Sequence, residues 1–72
     1  MKNNQIIKVA NFFYAVGTYV NPEWTYKVTT VASDLVCLQR CRESGKEYAH
    51  NKTNVAYVST TRLNEIGFEV IV

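Results

Sequence analysis

The chain has 72 residues, 8 Lys+Arg against 6 Asp+Glu for a formal net charge of +2, and 47% hydrophobic with 19% charged residues. That composition is globular rather than disordered or collagen-like. The length accommodates one domain, residues 1–72, and excludes a multidomain enzyme, a propeller or a repeat array. A chain this short buries only about 60% of its unfolded surface, so its core is thin. No stretch reaches the roughly 18 apolar residues of a membrane span. The apolar run after Gln5 is interrupted by Lys8 and Asn11, too broken for a secretory leader. The expectation is a cytoplasmic protein without membrane contact.

In chain order, Ile6 to Val20 is rich in β-branched and aromatic residues and reads as a first strand. Asn21-Pro22 marks the first chain reversal, because Asn-Pro favours turn initiation. Trp24 to Val31 then alternates, with Trp24, Tyr26 and Val28 on one face and Thr25, Lys27 and Thr29 on the other. Period-2 alternation predicts a strand with one buried face, and the two segments are expected to pair as an antiparallel hairpin.

Ser33 and Asp34 have the chemistry of a helix start, a capping hydroxyl followed by a negative charge at the positive end of the dipole. At about 100° per residue, Leu35, Leu38, Cys41, Arg42, Gly45, Tyr48 and Ala49 gather on one side. Gln39, Arg40, Glu43, Lys46, Glu47 and His50 lie opposite, which predicts an amphipathic helix near residues 34–50. Gly45 either caps that helix or lies inside it; the continued phase of Tyr48 and Ala49 favours the interior position. Asn51 to Asn54 reads as a polar turn, Val55 to Thr60 as a third strand and Ile66 to Val72 as a fourth. The link from Thr61 to Glu65 is a turn or a single helical turn. The expected fold is α+β: a mainly antiparallel four-stranded sheet with one helix across a face, in the order β-β-α-β-β.

The first strand has apolar residues at both even and odd positions, among them Ile6, Phe12, Tyr14 and Ile7, Val9, Phe13. A single helix covers one sheet face, so Val9, Phe13 and Tyr19 are the candidates for a protein-binding surface or a homodimer seam. The competing reading is a β-bulge near Asn11 or Gly17 that turns these side chains inward. Among basic residues, Lys27, Arg40 and Lys46 are candidates to meet phosphates or an acidic partner.

No catalytic constellation, phosphate loop or carboxylate pair is present in the sequence. Cys37 and Cys41 supply two thiols, short of the four ligands of structural zinc, and His50 falls on the other side of the expected helix. Both cysteines are therefore expected to be unpaired and buried, with no metal and no cofactor.

In size and layout the chain resembles small phage-encoded inhibitors of bacterial defence, the anti-CRISPR and antitoxin-like proteins. The resemblance is carried by Ile6-Ile7-Lys8-Val9, Tyr26-Lys27-Val28-Thr29, the Ser33-Asp34 helix start and the closing strands. It covers most of the chain without a specific motif. It implies a non-enzymatic inhibitor that acts by protein–protein contact in the host cytoplasm. The alternative expectation is a small nucleic-acid-binding protein that uses basic helix residues and sheet aromatics.

Overall fold

The computed structural model describes residues 1–72. Its strands are β1 (Ile6–Val9), β2 (Phe13–Ala15), β3 (Thr18–Val20), β4 (Thr25–Val31), β5 (Val36–Cys41), β6 (Val55–Val58) and β7 (Phe68–Val70). One helix, α1 (Thr60–Ile66), precedes β7. Five strands form an antiparallel sheet in the order β6-β5-β4-β1-β7, and β2 and β3 form a separate two-stranded hairpin. The class is α+β with a mainly antiparallel sheet and one helix. The main sheet has five strands rather than four, and the helix is not the expected one.

The segment expected as one strand from Ile6 to Val20 is three strands. The chain leaves the sheet after Val9, and Ala10 holds the exit by donating its N–H to the Gly67 carbonyl at 2.8 Å. Val16 and Gly17 then reverse it, both with positive φ, 39° and 80°. The interruptions fall where Asn11 and Gly17 pointed, but they are a chain exit and a tight turn. The register shift of a bulge occurs instead in β4, between Val28 and Thr30. The Asn21 turn forms: the Trp24 N–H reaches the Asn21 carbonyl at 3.1 Å and the Glu23 N–H reaches Asn21 Oδ1 at 2.8 Å. It links the small hairpin to β4, whose antiparallel partners are β1 and β5.

No helix occupies residues 34–50. Ser33 and Asp34 lie in the turn between β4 and β5, closed by the Ala32 N–H on the Leu35 carbonyl at 2.8 Å. The segment is β5, and it hides its period because both of its faces are covered. Val36 and Leu38 are buried on one face and Cys37, Gln39 and Cys41 on the other. A strand filled on both sides shows no polar alternation, and the spacing of Leu35, Leu38 and Cys41 then imitates a helix. Gly45 is neither cap nor helix interior. It has φ +93° in a turn closed by the Arg42 N–H on the Lys46 carbonyl at 2.8 Å.

The core lies between the sheet and the small hairpin. Ile7, Val9, Tyr26, Val28, Val36, Leu38, Ala56 and Val58 meet Phe13, Ala15 and Val20 of the hairpin and Leu63 of α1. α1 begins at Ser59, whose hydroxyl accepts the Arg62 N–H at 3.1 Å, and it ends at Gly67, φ 92°. The loop from Arg42 to Asn54 covers the opposite face of β5, the cover expected of the absent helix. The buried Gln39 side chain donates from Nε2 to the Tyr48 carbonyl at 2.9 Å, tying that loop down. No helix is long and apolar enough to cross a membrane.

Candidate functional site

The small hairpin pairs Phe13 with Val20, Tyr14 with Tyr19 and Ala15 with Thr18. Paired residues share a face, so the alternation separates the side chains cleanly. Phe13, Ala15, Thr18 and Val20 are buried against the core. Phe12, Tyr14 and Tyr19 project outward and are 56%, 51% and 57% exposed. Their rings form one cluster with Tyr19 at its centre. Phe12 stacks on Tyr19 at 5.1 Å between centroids, and Tyr14 meets it edge-on at 4.9 Å. Edge-on and offset contacts suit the ring quadrupoles and hold the side chains in place before anything binds.

Val9 and Phe13 do not take part in a surface, because both belong to the core, 3% and 6% exposed. The seam expected through Val9, Phe13 and Tyr19 is therefore not assembled. Only Tyr19 of the three faces solvent. Phe12 and Tyr14 replace the other two: alternation puts both opposite Phe13, and the Val16-Gly17 turn brings Tyr19 onto their face.

The basic candidates are not gathered into one row. Lys27 pairs with Gln39 and Arg40 with Tyr26 across the sheet, so Lys27 and Arg40 point to opposite faces. Lys27 Nζ is engaged by Glu47 at 3.2 Å, the one ion pair of the structure. Lys46 is exposed in the Gly45 turn. The Arg40 guanidinium lies between two rings, 3.6 Å from the Trp24 centroid and 4.5 Å from that of Tyr48. Arg42 approaches Tyr48 as well, at 5.5 Å. These rings are occupied by the chain's own cations, a favourable contact that removes them as stacking platforms for a base.

Cys37 and Cys41 are unpaired and buried, as the sequence suggests, but on β5 rather than on a helix. Burial pushes the Cys41 thiol above its ordinary value, outweighing the Thr25 hydroxyl and the Lys27 ammonium that pull it down. Burial likewise raises the Tyr26 phenol, against the Asn21 N–H that it accepts at 3.1 Å and the Arg40 charge. No three His, Cys, Asp or Glu side chains gather where a metal ion could be held.

A groove of about 510 Å³ runs between the tip of the small hairpin and β6, with His50, Asn51 and Lys52 on its loop side. The Thr18 hydroxyl donates to the Lys52 carbonyl and joins the two walls. No protein-family model matches the chain, and neither curated proteins nor solved structures give a match.

Proposed function

We propose that the chain is a non-enzymatic protein-binding module that meets its partner through Phe12, Tyr14 and Tyr19 on the outer face of the small hairpin. The observation that carries this reading is a pre-stacked cluster of three large rings, each more than half exposed, on a hairpin whose inner face is fully used by the core. Tyrosine is enriched among the residues that dominate interface energies, since it combines a large apolar area with a polar tip. The matching partner surface is an apolar slot rimmed by hydrogen-bond acceptors for the Tyr14 and Tyr19 hydroxyls. An inhibitor that occludes a larger bacterial assembly by contact, of the phage-encoded kind the sequence layout resembles, fits this arrangement. One of the carriers of that resemblance, Ser33-Asp34, opens no helix, so the aromatic surface rather than the layout supports the reading.

A nucleic-acid role has less support. Lys27 is neutralised by Glu47, and the rings of Trp24 and Tyr48 are covered by guanidinium groups. The test is affinity capture from a bacterial lysate with the natural chain beside a Tyr14→Ser/Tyr19→Ser variant. A specific partner is expected on the first and lost on the second. Equal recovery on both would overturn the surface assignment. Sedimentation of the two chains separates a homodimer through the same face from a foreign partner. A steep fall of affinity for single-stranded nucleic acid with salt would favour the alternative.

A further inference from the structure

We infer that the groove between the small hairpin and β6 is a receptor for the C-terminal end of an extended polypeptide, whose carboxylate is taken by Lys52. This deepens the protein-binding reading and rests on it: the aromatic face supplies contact area, and the groove supplies a directional end-recognition site.

The first observation is the free edge of β6. The sheet ends at this strand, so one of its sides has no neighbour. The Arg40 N–H on the Asn54 carbonyl at 2.7 Å fixes the phase of the ladder. Residues 54, 56 and 58 then bond inward to β5, and residues 55 and 57 face outward. The Val55 N–H is used by the Asn51 carbonyl at 3.1 Å. Tyr57 is left with both its N–H and its C=O on the open side, in the wall of the groove. That pair is the recognition element of strand addition, in which an incoming main chain completes two hydrogen bonds opposite one residue.

The second observation is charge. Lys52 lines the groove, has no acidic partner, and no Asp or Glu lines it. The Lys52 main chain is anchored through the Thr18 hydroxyl, so the loop that presents the ammonium is fixed. Apolar walls from Val16 and Val55 accept an aliphatic side chain beside the carboxylate.

The third observation is the orientation of His50. Gln39 Nε2 spends its two hydrogens on the Tyr48 and Arg40 carbonyls, at 2.9 and 3.2 Å. Its Oε1 is therefore the atom facing His50 Nδ1 at 3.0 Å, and the imidazole must donate from Nδ1. Nε2, on the other edge of the ring, remains as an acceptor for a main-chain N–H of the bound segment.

The fourth observation is the hairpin tip. Val16 is 82% exposed with φ 39°, and a β-branched side chain disfavours that conformation strongly. Asn or Gly is the ordinary choice where a two-residue turn needs positive φ at both positions. A strained, exposed valine at the mouth of a groove makes sense as a contact for a ligand.

The probe is an acetylated tetrapeptide of alanine, threonine, valine and leucine with a free carboxylate, titrated into the whole chain and followed by amide NMR. Binding is expected to shift the resonances of Val16, Lys52 and Tyr57 and to slow hydrogen exchange at the Tyr57 amide. The same peptide with an amidated end, and the free peptide with Lys52→Met, are each expected to bind at least tenfold more weakly. Lys46→Met, a basic side chain away from the groove, is expected to leave affinity unchanged. Absence of shifts at millimolar peptide, equal affinity for acid and amide, or indifference to Lys52→Met would overturn the inference. So would binding of isovalerate alone with no slowing at Tyr57, which would make the groove a small-acid site. Tyr14→Ser/Tyr19→Ser should bind the peptide normally while losing the lysate partner. A natural chain that captures the partner but binds no peptide sinks the groove alone, and a double variant that binds the peptide and still captures the partner sinks the aromatic face alone.

Discussion

β5 and the outer face of the small hairpin have comparable apolar content and opposite fates. Val36, Cys37, Leu38, Gln39 and Cys41 are almost completely removed from solvent, whereas Phe12, Tyr14 and Tyr19 are each more than half exposed. β5 has strands on both sides, the core on one face and the loop from Arg42 to Asn54 on the other. The hairpin has only two strands and one covered face. Burying a large side chain is worth about 1.5–3 kcal/mol, so the rings left in water forgo stabilisation that a chain of this size can scarcely spare. Apolar character alone therefore does not decide what is core. The number of covers available to each face does, and a face left without one is available for another molecule.

The largest effect is expected on the covered side of this comparison. Leu38→Ala should cost about 2–5 kcal/mol. A chain of 72 residues holds only about 4–11 kcal/mol in all, so circular dichroism and urea titration should show a marginal or unfolded protein. Gln39→Ala comes next. It strips the Tyr48 carbonyl and the His50 ring of their partner and takes one of two donors from the Arg40 carbonyl, which keeps the Tyr48 N–H; it should cost about 1–3 kcal/mol and loosen the loop above β5. A stable variant with unchanged loop exchange would mean that this cover is not tied down by Gln39.

The alkaline limit of stability probes the same interior. The folded chain holds the Tyr26 and Cys41 protons more tightly than the unfolded chain, since both groups are raised by burial. Their contribution is complete below the unfolded values and is lost as pH climbs through the folded ones. Stability should thus decline from about pH 8.5 upward, first through the thiol and then through the phenol. A denaturation midpoint flat to pH 11 would contradict it. The exposed side should respond less and sometimes in the opposite direction. Val16→Asn relieves the strained turn and should stabilise by about 1 kcal/mol. Tyr19→Ser should cost only about 0.5–1.5 kcal/mol of folding stability through the lost ring contacts, while removing the partner captured by the natural chain.

What the sequence revealed follows the same division. β4 was legible because one face is apolar and the other polar, and the Asn21 turn because its chemistry is local. β6 was legible as a short β-branched run, and α1 as one of two readings of its link. β5 imitates a helix because both faces are filled, which erases the alternation and leaves only a coincidental spacing. The first segment imitates one strand because Val16, a poor turn residue, masks the reversal that Gly17 completes. The surface was half legible for the same reason. Alternation alone separates Phe12 and Tyr14 from Phe13, but uninterrupted parity groups Tyr19 with Phe13, and only the Val16-Gly17 turn brings it to the face of Tyr14. Charge alone groups Lys27 with Arg40, and only the register between β4 and β5 sets them on opposite faces.

The position of β1 has a consequence for how the chain is made. β1 is an interior strand, flanked by β4 and by β7, and the pairing of Ile7 with Val70 spans nearly the whole sequence. During synthesis Ile6, Ile7 and Val9 emerge long before Phe68 to Val70, one of their two neighbours. Until residue 70 has left the ribosome, β1 is an open edge, the most adhesive kind of surface a nascent chain can present. Lys8, half-buried between Ile7 and Val9 and facing Glu69 in the finished sheet, puts a charge in the middle of that edge. The closing step is a long-range one and is expected to be slow relative to the formation of the local hairpins. The same lysine that looks out of place in an apolar strand is then a guard against premature pairing, on duty only until β7 arrives.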